Sequence, residues 1–205
     1  MVEPVERPRR WWGRRAFLDA VAVVDIVLIA ASEAAAFPNS GVGFKLYAVA
    51  VVGLVIALWL VLRRHEYPIW AVLLLQLAIL GHIAGRFVMI AGLPLYRAEV
   101  LGIGGDKIVH AFNSAVAAAF VLVLFRLLGL ELRGWEGFIV VMVVAGCGAI
   151  IEIIEYFGVL ALPSTHVGDY ANNAQDLVAN LLGAIAGWGV ARLVMGPADN
   201  PRVRP

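Results

Sequence analysis

The sequence predicts an all-α polytopic membrane protein, a bundle of six transmembrane helices. Three observations carry that prediction. Hydrophobic residues make up 62% of the 205 positions and charged residues only 15%, whereas soluble domains hold about 45–50% apolar and 25% charged residues. The apolar residues gather in runs close to the roughly 20 residues that cross a bilayer core, and short polar connectors separate them. No run alternates apolar with polar residues over its length, as the strands of a transmembrane barrel do.

Six runs are predicted to span: 16–36, 43–62, 69–92, 106–130, 137–160 and 174–195. Pro38, Pro68, Pro94 and Pro163 fall at or just beyond their ends, where a helix stops for lack of a backbone donor. The sequences PNSG at 38–41 and GIGG at 102–105 mark two of the connectors. Residues 1–15 form a basic tail and residues 196–205 a second, shorter one, with the single transmembrane domain between them at 16–195. The lone cysteine, Cys147, lies inside an apolar run, so no disulfide forms within the chain and no thiol metal site is indicated.

The net charge of +1 is uninformative; its distribution sets the orientation. Arg7, Arg9, Arg10, Arg14 and Arg15 precede the first run. Arg63 and Arg64 follow the second, Arg126 and Arg133 flank the fourth connector, and Arg192, Arg202 and Arg204 close the chain. In a six-span arrangement all of these fall on one side, leaving Lys45, Arg97, Lys107 and Arg86 toward the other. The positive-inside rule then predicts a multi-pass protein of the cell membrane with both termini in the cytoplasm. Trp11, Trp12, Trp59, Trp70 and Trp135 gather at the same interface, as an aromatic belt does. The N-terminal RRWWGRR followed by an apolar stretch and AAA at 34–36 also resembles a secretory or twin-arginine signal. The uncleaved first helix is the better reading, because Asp25 interrupts the apolar core and the run is long for a cleaved signal.

This orientation gathers the intramembrane polar groups at one end. Glu33 lies late in the first run, His82 and Arg86 late in the third, and Asp106, Lys107 and His110 open the fourth. Glu152, Glu155 and Tyr156 come late in the fifth, and Asp176 and Asn180 open the sixth, after a loop carrying His166, Asp169, Tyr170, Asn172 and Asn173. Helical spacing puts His82 with Arg86, Asp106 with His110, Asn113 and Ser114, Glu152 with Glu155 and Tyr156, and Asn173 with Asp176 and Asn180 on shared faces. A polar chamber open to the extracytoplasmic side is therefore expected. A charge near a helix centre costs about 2.5–3.5 kcal/mol on insertion scales, so such groups pair or line water. Mutual neutralisation that fixes helix register is the plainer alternative. Lys107 and Arg86 face Glu33, Asp106, Glu152, Glu155, Asp169 and Asp176; unless a further cation binds, one deep carboxylate, Glu152 first, is expected to be neutral. Asp19 is expected to pair with Arg14 or Arg15, and Asp25 is unassigned. Gly183 and Gly187 in GAIAG, AGCG at 145–148 and SAVAAA at 114–119 are expected to let the last three runs pack closely.

Three fragments in order, DKIVHAF (106–112), EIIEY (152–156) and DLVANLLGAIAG (176–187), resemble the VanZ-like superfamily of small membrane proteins. EIIEY and GDYANNAQDL (168–177) also resemble the uncharacterised YjdF-type inner-membrane proteins. The resemblance covers residues 105–190. It departs from the VanZ-type pattern in lacking an Arg in the loop STHVGDYANNAQ, and from the YjdF-type pattern in having Asn172 where an Asp is expected. The resemblance implies a cell-envelope setting, since VanZ is associated with low-level resistance to teicoplanin-type glycopeptides.

Three functions fit these residues. The first is recognition or handling of a lipid headgroup, an envelope precursor or an amphipathic antibiotic. Its binding residues would be Glu33, His82, Arg86, Asp106, Lys107, Asn113, Tyr156, Asp169, Asn172 and Asn180. The second is an intramembrane hydrolase or transferase with Glu152, Glu155, His110 and Asp176 as its acid–base groups. The third is ion-coupled transport, which needs a polar path through the inner half, where only Asp25 and Gln76 stand. His82 and His110 could also serve with Asp176 as zinc ligands, but no H-E-x-x-H or comparable motif is present, so no metal site is expected and no cofactor is assigned. The bilayer itself is the expected partner, with a lipid-linked or amphipathic small molecule. Nucleic acid is not, because the short Arg-rich tails are explained by topology. In a Cys147→Ala background, cysteine at Ser164 is expected to react with an impermeant reagent from outside and cysteine at Ala198 is not; labelling of Ala198→Cys from outside would contradict the orientation.

Overall fold

The computed structural model describes residues 15–36, 69–130, 132, 134–161 and 169–196, with scattered positions between 49 and 67. The described chain is mostly helical. Five helices have described bounds: α1 (Arg15–Ala36), α2 (Ile69–Phe87), α3 (Gly105–Leu127), α4 (Glu136–Ala161) and α5 (Tyr170–Met195). Helices α2, α3 and α5, and α4 as far as Phe157, are long and apolar enough to cross a membrane. Helix α1 has the length, but every 18-residue window within it holds three charged residues, drawn from Arg15, Asp19, Asp25 and Glu33. The predicted run at 43–62 falls mostly outside the described residues, as do positions 1–14 and 197–205.

The ends of these helices have local causes. Asp169 caps α5, its carboxylate accepting the Asn172 backbone N–H at 3.0 Å, the usual reach from an N-cap to the third helical residue. Helix α3 stops at Leu127 because Gly129 turns left-handed (φ 67°). The Leu130 N–H then returns to the Phe125 carbonyl and the Gly129 N–H to that of Arg126, the paired bonds of a Schellman ending. The predicted run to 130 is shortened accordingly.

The run predicted at 69–92 also ends early, at Phe87. Beyond it the chain forms two short antiparallel hairpins, β1 (Met89–Ile90) with β2 (Leu93–Pro94) and β3 (Glu99–Val100) with β4 (Ile103–Gly104). A single 3-10 turn, Leu95–Arg97, joins them. Each hairpin turns on two residues with positive φ, Ala91 (50°) with Gly92 (81°) and Leu101 (54°) with Gly102 (80°). That is the geometry whose twist matches paired strands, and it explains why the chain leaves the helix there. The 3-10 turn packs against α2 and α3.

Helix α3 is the centre of the bundle, packing against α2, α4 and, most extensively, α5. One apolar cluster joins α1, α2 and α3 through Leu18, Ala71, Val72, Phe120 and Val123, with Tyr67 beside them. A second joins α3, α4 and α5 through Ala118, Leu122, Val140, Val144, Ala184 and Ala191. The α3–α5 seam is built on small residues: a Cβ on Gly183 would overlap the Ala111 carbonyl oxygen, and one on Gly187 that of Ala115. The close approach expected from the G-x-x-x-G spacing is present. At the end of the bundle where α3 and α5 finish, Arg126 donates to the Gly196 carbonyl at 2.9 Å, and Arg126 and Arg192 each lie 3.4 Å from Glu136. Asp19 accepts from the Trp59 indole at 3.0 Å and pairs with Arg63 at 3.5 Å; its expected partners Arg14 and Arg15 lie outside the described side chains. Asp25, unassigned from sequence, has a partner across the bundle, since Gln76 on α2 donates to its Oδ2 at 3.0 Å.

Gly183→Ala forces overlap with backbone that has no rotamer to yield, and is expected to cost about 1–3 kcal/mol. Gly146 has open space around its Cβ position, so Gly146→Ala is expected to leave stability unchanged or raised. Thermal unfolding of both variants in detergent checks the pair.

Candidate functional site

At the opposite end, α3 and α5 begin and α4 approaches its finish, and there the buried polar side chains meet. Lys107 on α3 is the hub. Its ammonium lies 2.6 Å from Asp106 Oδ2, 2.6 Å from Asn172 Oδ1 and 2.9 Å from Asp176 Oδ1, with its side chain only 12% exposed. Asp106, within the first turn of α3, also accepts the Lys107 backbone N–H at 2.8 Å while holding the ammonium. Asn172 completes the ring by donating to Asp176 Oδ2 at 2.8 Å.

One turn further along α3, His110 and Ser114 face Asn180 on α5. The Ser114 hydroxyl donates to Asn180 Oδ1 at 2.8 Å, and His110 Nδ1 stands 3.3 Å from the same oxygen. An amide oxygen only accepts, so a hydrogen bond there takes the tautomer with its proton on Nδ1. Helix α4 contributes Glu152, which is 3% exposed. Its Oε2 accepts from Asn173 at 2.9 Å, and its Oε1 lies 3.7 Å from His110 Nδ1. His110 Nε2 lies 3.8 Å from Asp176 Oδ1. Gly148 lets this happen, since a Cβ there would press on the Asn180 amide nitrogen.

The structure thus brings together Asp106, Lys107, His110, Glu152, Asn172, Asp176 and Asn180. Glu155 is half-buried and within electrostatic range of His110, Asp176, His82 and Lys107. His82 on α2 meets the Tyr96 hydroxyl at 3.0 Å through Nδ1, with the two rings edge to face. Arg86 is half-buried one turn beyond His82. Asn113 turns toward Gly81 of α2, and its Oδ1 is buried with no hydrogen-bond partner among the described residues. Two expected members lie apart: Tyr156 is 56% exposed and packs on Phe157, and Asp169 serves as the cap of α5. The side chain of Glu33 and all of His166 lie outside the described residues. Ser114 and Asn173, legible only as part of polar stripes, hold key partners. Tyr96 gave no signal, because nothing in PLYR marks a turn that carries its ring back over Gly85. Beside this cluster an apolar groove of about 350 Å³ runs between α2 and α3. Leu80, Ala84, Ile108 and Phe112 are among the residues lining it.

A mostly helical chain with several long apolar helices and charged groups buried at one end of the bundle is a helical membrane protein. The family described as predicted membrane protein (DUF2238) matches residues 19–196, and the chain belongs to that family. No curated protein and no solved structure matches it.

Removing one partner of a buried ion pair strands the other charge, a loss of about 3–5 kcal/mol, whereas exposed pairs contribute about 0–1 kcal/mol. Lys107→Met is therefore expected to destabilise the protein far more than Arg63→Met, whose pair with Asp19 is more than a third exposed on both sides. Chemical denaturation of the two variants in one detergent makes the comparison.

Proposed function

We propose that this protein binds the polar headgroup of an amphipathic molecule from the extracytoplasmic leaflet of the cell membrane. The molecule is a lipid, a lipid-linked envelope precursor or an amphipathic antibiotic. The proposed frame is six spans with both termini in the cytoplasm. The observation that carries the reading is the convergence at one end of the bundle of Lys107, three carboxylates, His110 and three asparagine amides. Such a set offers donors and acceptors to a hydroxylated or cationic headgroup. The apolar groove between α2 and α3 supports it, because its wall at Ile108–Phe112 occupies the same turns of α3 as Lys107 and His110, so that an acyl chain and a headgroup would be served by one helix. The second apolar cluster fills the interior below the site, which favours binding over transport. The Asp25–Gln76 pair lies on α1 and α2, and α1 shares a different apolar cluster.

The three fragments of the VanZ-like resemblance coincide with the three helix segments that meet in the cluster. We take this as support for a distant relationship to that superfamily. An acid–base reaction is the second reading, favoured by His110 standing within 3.8 Å of two buried carboxylates. In that case the headgroup would be a substrate.

The test is lipid mass spectrometry on the full chain extracted with its surrounding membrane. Enrichment of one headgroup class over the bulk membrane is expected, with loss of that enrichment in the Lys107→Met, Asp176→Asn double variant. A retained lipid profile equal to bulk, and identical in the variant, would contradict the proposal.

A further inference from the structure

We infer that His110, Glu152 and Asp176 form a binding site for one divalent transition-metal ion, with zinc the best match to the donor set. The inference stands independently of the headgroup reading. Each of the three residues offers a donor atom within 4.8 Å of the others'. One imidazole and two carboxylates suit zinc or a neighbouring first-row ion, and three protein ligands leave a position open for an oxygen ligand. Donors about 2.0–2.2 Å from a tetrahedral zinc stand roughly 3.3 Å from one another. The His110 Nε2–Asp176 Oδ1 pair, at 3.8 Å, is already near that separation.

Two further observations point to a ligand rather than to a self-sufficient ion pair. Glu152 is almost wholly buried, and its Oε1 has no hydrogen-bond partner among the described residues while it lies against the His110 ring. Moreover, each of the three residues has its other polar atom held by a neutral amide. Asn180 accepts from His110 Nδ1, Asn173 donates to Glu152 Oε2 and Asn172 donates to Asp176 Oδ2. That is how outer partners fix the tautomer and orientation of metal ligands. It leaves Nε2, Oε1 and Oδ1 as the donor atoms not held by an amide; Oε1 stands 3.7 Å from Nδ1 and meets the ion by turning along the edge of the ring toward Nε2. Lys107 stands on Asp176 Oδ1 at 2.9 Å, but it keeps two partners at 2.6 Å, Asp106 and Asn172, when that oxygen turns to an ion. The sequence signal for this site is not a linear motif. It is three single residues, one on each of three helices, brought together by packing.

The test uses the full chain in detergent, stripped with chelator and then titrated with zinc alone. One equivalent retained per chain is expected, with at least a tenfold loss of affinity in His110→Ala and in Glu152→Gln, and a tenfold to hundredfold loss in Asn173→Ala. Glu136→Gln, at the far end of the bundle, is expected to bind as the wild type does. Should the ligand variants fail to fold, cobalt(II) replaces zinc in the wild type. Visible absorption typical of a low-symmetry nitrogen–oxygen site supports the inference, and the spectrum of hexa-aqua cobalt overturns it. Lys107→Met provides a further readout, because zinc should raise its melting temperature by more than that of the wild type. Failure of the wild type to retain zinc at micromolar concentration, or affinity unchanged in folded His110→Ala, would overturn the site. Neither result would bear on whether a headgroup binds.

Discussion

The close approach of α3 and α5 is the constraint on which the rest of the structure depends. Two glycines one turn apart, Gly183 and Gly187, lie against backbone carbonyls of Ala111 and Ala115. Only at that separation do short polar side chains reach from one helix to the other. Ser114 and His110 find Asn180, and Lys107 finds Asn172 and Asp176. In hydrocarbon a polar group without a partner has no water to turn to. The small residues and the polar residues are therefore one device: the first set the distance, and the second use it.

The same logic orders the remaining polar groups. Glu152 comes from α4 and is received by Asn173, while Gly148 on the same helix keeps clear of Asn180. At the other end, Arg126 meets the last carbonyls of α5 and shares Glu136 with Arg192. There a cation complements the C-terminal end of a helix dipole. The two ends differ in kind. The far end ties helix termini together with one carboxylate between two guanidiniums. The near end holds more carboxylate than cation, and two of its buried carboxylate oxygens, Glu152 Oε1 and Asp176 Oδ1, have no hydrogen-bond partner among the described residues, the second standing only in an ion pair with Lys107. An excess of that sign is the electrostatic condition under which a metal ion or a cationic group is attracted.

Much of this was legible in the sequence, for physical reasons. Apolar runs of bilayer length announce themselves by composition, and polar residues three and four apart announce a face. Spacing and charge asymmetry alone placed Asp106, Lys107, His110, Glu152, Asp176 and Asn180 at one end of the bundle. The pairings were less legible, because they depend on helix rotation and separation to within an ångström or two. Tyr156 shows the limit: it shares helical spacing with Glu152 but lies far enough round α4 to be exposed on its surface. The two hairpins were missed because each strand has only two residues, too few for alternation to register. Their only marks are Ala91-Gly92 and Leu101-Gly102, each a two-residue turn ending in glycine. The partner of Asp25 was missed because a single glutamine on another helix carries no spacing signal.

A double-mutant cycle between Lys107→Met and Asp176→Asn tests the central claim most directly, since it isolates the ion pair made across the seam between α3 and α5. Measured by chemical denaturation of the metal-free protein, the coupling is expected to reach roughly 2–3 kcal/mol. A coupling indistinguishable from zero, with the double variant destabilised by the sum of the two single effects, would mean that the two charges do not meet and that the cluster is not built as described.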